Sequence, residues 1–132
     1  MENEVMTIRE MCDAFEVTPR TLRFYESKEL LFPIREGQKR LFTRRDRARL
    51  KLILRGKRFG FSLEDIRQLL DLYSVGDNQV TQLTETLKLA RNRLEEMQQQ
   101  RDDLVTAIDE LSAEIESGEN RLEARRAESS AA

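Results

Sequence analysis

Apolar residues along this chain change their spacing several times, and each spacing predicts a different element. Ile8, Met11, Cys12 and Phe15 recur at three- and four-residue intervals, the stripe of a short helix, and Thr7 with Glu10 has the spacing of a capping box. Cys12 lies on that stripe and reads as a packed residue. After a turn at Glu16-Val17, the Thr18 hydroxyl can cap a second helix, and Pro19 suits its first position because no amide hydrogen is needed there. Leu22 and Phe24 or Tyr25 can face a small core, while Arg20, Thr21 and Arg23 fall on the other side together with an exposed phenol. Two short helices joined in this way form a helix-turn-helix whose second helix is the reader.

From Leu30 to Thr43 the character changes. Pro33, Ile34-Arg35, the turn signal Glu36-Gly37 and the alternating Arg40-Leu41-Phe42 predict a two-stranded hairpin from which Arg35, Lys39 and Arg40 project. Thr43 then caps a third helix running to about Arg55, with Leu50, Ile53 and Leu54 inward. The run Gly56-Lys57-Arg58-Phe59-Gly60 is expected to break it, and Ser62 opens a fourth helix carrying Ile66, Leu69, Leu70 and Tyr73. On this reading Lys57 and Arg58 lie in a loop beside a helix N-terminus, a phosphate-gripping corner.

Beyond a loop at Ser74 to Asn78 comes one long periodic pattern. Val80, Leu83, Leu87, Ala90, Leu94, Met97, Arg101, Leu104, Ile108, Leu111 and Ile115 follow an unbroken 3-4-3-4 spacing, continued by Gly118 and Leu122. A helix from about Asn78 to Ser117 is roughly 60 Å long, far more than the small domain before it can cover, so it needs a partner helix. An antiparallel copy centred near residues 102 and 103 sets Arg101 against Leu104 and Ala90 against Ile115, whereas a parallel copy sets Arg101 against itself. The flanks are basic early and acidic late, so only a reversed neighbour brings unlike charges together. Asp102 and Asp103 are candidates to hold Arg101. The expected organisation is a domain at 1–75, a dimerisation helix at 76–118 and a frayed tail at 119–132.

Composition narrows the function. The 132 residues are 39% hydrophobic and 36% charged, so the core is small and much of the chain is helical surface. The net charge of −2 conceals a strong asymmetry: residues 17–60 hold 14 Lys and Arg against 4 Asp and Glu, a local charge of +10. Such a concentration is an electrostatic footprint for a polyanion, because each neutralised phosphate releases condensed counterions. Arginine pairs with phosphate or bidentately with guanine, and threonine and tyrosine hydroxyls donate to phosphate oxygens. With one cysteine and no histidine, the chain can build no intrachain disulfide and no multi-cysteine metal site, and it offers no catalytic constellation, so an enzyme is not expected. No metal or cofactor is expected. A coiled-coil adaptor that binds only protein would explain the heptads and leave the basic segment without a reason. No apolar stretch approaches the roughly 18 to 20 residues of a membrane span, and Glu2 and Glu4 stand where a signal peptide would carry lysine, so the expected location is the cytoplasm.

Several spaced motifs resemble one family. Thr7-Ile8-Arg9-Glu10, the Arg-Thr-Leu-Arg-Phe-Tyr core within Val17 to Glu26, Leu30-Leu31, Gly37 to Phe42, and Gly60-Phe61-Ser62-Leu63-Glu64-Asp65-Ile66 are similar to the MerR-type transcription regulators, in the correct order over about residues 6 to 73. The resemblance implies a mainly α fold, in which a winged helix-turn-helix domain precedes one long helix that dimerises as an antiparallel coiled coil. It also implies binding to a palindromic promoter whose spacer is bent and untwisted, so that RNA polymerase is served indirectly through the realigned DNA. Carried over residue by residue, it makes Thr18, Arg20, Thr21, Arg23, Phe24 and Tyr25 the helix contacts. Arg35, Lys39 and Arg40 become the wing contacts, and Lys57 with Arg58 the second phosphate grip. The homodimer seam would comprise Leu83, Leu87, Ala90, Leu94, Met97, Arg101, Leu104, Ile108, Leu111 and Ile115.

There are departures from the family pattern. Phe24 stands where tyrosine is frequent, and Gln38-Lys39-Arg40 replaces the common Gly-Tyr-Arg of the wing. The cysteines of metal- and redox-sensing members are missing, and the residues after Ser117 are too few and too polar for the ligand domain of drug-sensing ones. The run Leu50 to Ser62 is similar to a branch controlling branched-chain amino acid and fatty-acid catabolism. No effector site is assigned.

Overall fold

Capping chemistry between near neighbours opens the first helices of this chain. A computed structural model describes residues 4–72 and 80–131. In α1 (Ile8–Phe15) the Thr7 hydroxyl accepts from the Glu10 amide while the Glu10 carboxylate accepts from the Thr7 amide, the reciprocal box expected from sequence. Glu16 ends the helix in the left-handed region at φ 54°, and α2 (Pro19–Ser27) begins three residues later with Thr18 accepting from the Thr21 amide and Pro19 in the first turn. In α3 (Arg44–Phe59) the box is Thr43 with Asp46, and α4 (Leu63–Leu72) follows Ser62, whose hydroxyl accepts from the Asp65 amide.

The hairpin forms as expected, from β2 (Ile34–Glu36) and β3 (Lys39–Thr43), with Gly37 in the turn at φ 59°. A third strand was not foreseen. β1 (Val5–Thr7) pairs antiparallel with β3, setting Met6 opposite Phe42, and the sheet order is β1-β3-β2. Three residues of weak pattern acquire strand structure only because β3 supplies the hydrogen bonds.

The core gathers Met11, Leu22, Tyr25, Leu30, Leu31, Phe42, Leu50, Ile53, Ile66 and Leu70 from the helices, the sheet and the α2–β2 connection. Cys12 packs against it from a half-buried position, as its place on the stripe suggested. One charged side chain is sealed in. Asp46 is 2% exposed, and its carboxylate accepts from the amides of Phe32 (2.9 Å) and Thr43 (3.1 Å), so one residue caps α3 and anchors the connection leaving α2. Buried charge is tolerated where hydrogen bonds replace its water.

Two expectations about helix ends are corrected. The third helix does not break at Gly56 but runs on to Phe59, where Gly60 takes the left-handed C-cap at φ 80°. Gly56 is buried within it, and a Cβ there would lie 2.8 Å from the Ile66 Cγ1, so this glycine serves the close approach of α4. The last helix, α5 (Val80–Ala131), continues through the tail expected to fray. Glu, Ala and Arg dominate residues 119–131, and their helix propensity carries the pattern on without an apolar stripe. Tyr73, the loop Ser74 to Asn78 and the start of the long helix at Asn78 lie outside the described residues.

The chain divides into two compact units, Met1–Leu89 and Ala90–Ala132. Within the first, Gln82 is buried and its side-chain amide donates to the Leu72 carbonyl, which ties the opening turns of α5 to the end of α4. The second unit is helix throughout its described length. Its apolar side chains Leu94, Met97, Leu104, Ile108, Leu111 and Ile115 are all exposed, by 40% to 62%. No described helix is long and apolar enough to cross a membrane.

Candidate nucleic-acid interface

The geometry of α2 follows from which side chains the core claims. Leu22 is fully buried and Tyr25, three residues on, covers the same core at 5% exposure; Phe24, two residues on, points away and is 44% exposed. The expected exposed phenol is therefore corrected: Tyr25 is a core residue, and burial pushes its phenol up from the usual tyrosine range. What the helix presents is Arg20, Arg23 and the Phe24 ring. Lys28 stands over that ring at 5.6 Å, adding a cation to an aromatic face. Thr21 is half-buried, its hydroxyl 2.9 Å from that of Thr18, so these two threonines close the N-terminus of the helix around each other.

The wing is fastened to this helix by one carboxylate. Glu26 Oε1 accepts from Arg40 Nε at 2.5 Å and Glu26 Oε2 from Arg35 Nη1 at 3.2 Å. Arg40, expected to project, is instead drawn against α2, its side chain 21% exposed, while Arg35 stays half open and Lys39 is exposed. Both arginines are thus brought to α2, through a residue that periodicity and charge counting do not single out. A signal for Glu26 existed: it is the sole acid on α2 and stands in the last turn, where the helix dipole disfavours negative charge.

Other arginines lock the far end of α2. Arg49 Nε donates to the Leu30 carbonyl at 2.8 Å, with its guanidinium 5.2 Å from the Phe32 ring, and Arg67 donates to the Lys28 and Glu29 carbonyls. These side chains satisfy carbonyls of the connection just beyond the end of the helix, so part of the basic charge is structural. Lys57 and Arg58 are exposed but occupy the last turn of α3 rather than a loop. Successive helical residues diverge by about 100°, so the two leave the helix in different directions.

The predicted seam residues all belong to α5. Leu83 and Leu87 in the first unit are exposed, as are Ala90 and its successors in the second. Arg101 is held by Asp102 at 3.2 Å, whereas Asp103 accepts from Gln99 instead.

Comparison with known proteins places this arrangement. The model of the MerR HTH family regulatory proteins matches residues 6–72, and that of the MerR DNA-binding region matches residues 47–114. The HTH-type transcriptional regulator ZntR of Escherichia coli K12 is 38% identical over 93 residues, 69% of this chain, which spans 64% of that protein's length. The mercuric resistance operon regulatory protein of Shigella flexneri is 34% identical over 84% of this chain and 78% of its own. Among solved structures, HiNmlR, a MerR family regulator lacking the sensor domain and bound to promoter DNA, superposes with a TM-score of 0.59 at 28% identity, covering 80% of this chain and 79% of its own. Matched over more than half its length by the family model, with the helix-turn-helix, wing and long helix all present in that order, the chain belongs to the MerR family of helix-turn-helix regulatory proteins.

Proposed function

We propose that this chain is a homodimeric transcription regulator that binds a palindromic promoter site in duplex DNA and distorts the spacer between its half-sites. The observation that carries this reading is the exposure of Arg20 and Arg23 on a helix whose opposite face is sealed into the core, beside a basic hairpin. Such a helix presents cations in a fixed direction. The wing's Lys39 and the Lys57 and Arg58 turn add sequence-independent phosphate contacts, and base contacts fall to Arg20, Thr21 and Arg23. The known promoter complex of HiNmlR supports DNA as the partner here.

The homodimer reading rests on α5. A helix with an exposed apolar seam, interrupted at Arg101, is a surface of the kind soluble chains cover with another protein surface. Pairing through the two-fold axis of an antiparallel coil presents two reading helices, which suits an inverted repeat. Bending the DNA between them makes specificity depend on spacer deformability as well as base contacts. RNA polymerase is then reached through the DNA rather than through a dedicated surface.

Metal sensing, which the mercuric relative's name suggests for that protein, does not carry over. The chain's single cysteine is half-buried in α1 and there is no histidine, so the multi-thiolate set that a soft metal selects is absent from the sequence. A narrower assignment, to regulators of branched-chain amino acid or fatty-acid catabolism, rests on the run Leu50 to Ser62 and is tested by which transcripts change when the gene is deleted.

The DNA reading is tested by selecting a duplex from a random library with the intact protein, then measuring affinity against salt. A steep negative slope of log K on log salt is expected, reduced by about 0.9 in Arg23→Ala if Arg23 neutralises one phosphate. A flat dependence with no enriched sequence would favour a protein-binding adaptor.

A further inference from the structure

We propose that Glu26 is a positioning residue which fixes the wing against the recognition helix and withholds two arginines from phosphate, so that it governs discrimination between DNA sequences rather than affinity for DNA as such. The inference rests on the DNA-binding reading above. Its starting point is that a carboxylate at this position is unfavourable on two counts. Glu26 stands in the last turn of α2, at the negative end of the helix dipole, and it shares that helix with Arg20 and Arg23, so it would repel the polyanion they face.

The wing contains the complementary problem. Arg35 and Arg40 are direct cross-strand partners in the β2–β3 register, and like charges set opposite each other destabilise a hairpin. One carboxylate resolves both. Each of its oxygens takes one arginine, Oε1 from Arg40 and Oε2 from Arg35, so the hairpin is pinned through both of its strands. A hairpin held by one strand can still swivel about that attachment, whereas one held by both keeps its twist and angle to the helix. The pair with Arg40 is also shielded, with both side chains near one-fifth exposed, so it is screened less by salt than a surface pair.

Arg40 is therefore assigned to the clamp, and Arg35 is shared between Glu26 and solvent. This separates the basic residues into two classes with opposite signatures. A phosphate contact, when removed, flattens the salt dependence; a clamp residue, when removed, loosens the wing and lets the remaining cations settle on any backbone.

The experiment compares wild type, E26Q and R40Q on two duplexes, one selected from a random library by the wild-type protein and one unrelated sequence of equal length and composition. Affinity is measured across a salt series, with a thermal melt of each protein. For E26Q the expected result is an operator-to-unrelated affinity ratio at least tenfold lower, with tighter binding to the unrelated duplex. The salt slope should steepen by up to about 2 as two arginines become free, at about 0.9 per phosphate. For R40Q the ratio falls while the slope stays within about 0.3 of wild type; a flattening by about 0.9 would instead make Arg40 a phosphate contact and overturn the assignment. Equal loss on both duplexes in E26Q, accompanied by a lower melting temperature, would reduce Glu26 to a structural residue and likewise overturn it. A wild-type protein that enriches no sequence overturns the DNA-binding reading and this inference with it. A wild type that enriches one, beside an E26Q protein that matches it on both duplexes, overturns the inference alone.

Discussion

Replacing Gly56 by alanine tests whether the α3–α4 contact sets the cost of a residue that helix propensity alone would favour. Gly56 lies inside α3 with ordinary helical backbone, so propensity predicts a gain of about 0.8–1.0 kcal/mol for alanine. The space is occupied, however. An added methyl would meet Ile66 Cγ1 at 2.8 Å and Cδ1 at 3.1 Å, and Ile66 is 1% exposed, packed within the core. Overpacking of this kind costs about 1–3 kcal/mol. The balance is a net destabilisation of about 1 kcal/mol, read as a fall of about 4–8 °C in melting temperature for a domain of this size at fixed protein concentration. A double-mutant cycle isolates the contact. In an Ile66→Ala background, itself destabilised by about 2–5 kcal/mol, the same Gly56→Ala change should stabilise by about 1 kcal/mol. If Gly56→Ala stabilises the wild-type protein as much as the Ile66→Ala protein, Gly56 is an unused glycine and the packing argument is wrong.

Three further outcomes follow from the same structure. Leu94→Asp places a carboxylate on the apolar seam of α5 and should convert a dimer to a monomer in sedimentation; an unaltered dimer would reject the seam. Asp46→Ala removes the acceptor for the Phe32 and Thr43 amides and should lower stability by about 2–4 kcal/mol in urea unfolding, the sum of a lost cap and an unsatisfied buried donor. A loss below about 0.5 kcal/mol would mean that water replaces the carboxylate. Burial raises the Cys12 thiol above its ordinary value, with the neighbouring Asp13 charge adding to the effect and Arg23 opposing it, so the protonated form is favoured at neutral pH. Alkylation by iodoacetamide should therefore be slower than in the unfolded chain, and the gap should narrow as pH rises; equal rates at pH 7 would contradict the packed position.

The amino-acid sequence by itself determined what near neighbours decide. Thr7 with Glu10, Thr18 with Pro19, and Thr43 as a cap are written within four residues of one another, and the heptads of α5 repeat every two turns, so helix starts and the apolar stripe were legible. Even the choice between Phe24 and Tyr25 was present, because only the residue three positions from Leu22 shares its face. The tertiary structure decided what depends on distant partners. β1 exists because β3 lies beside it, and α3 passes through Gly56 because Ile66 packs where a side chain would stand. Arg40 turns inward because Glu26, fourteen residues earlier, waits on the adjoining helix. Local periodicity says which face of an element is apolar. Which arginine meets phosphate and which meets a carboxylate depends on folding that carries residues far apart in sequence to within a hydrogen bond of each other.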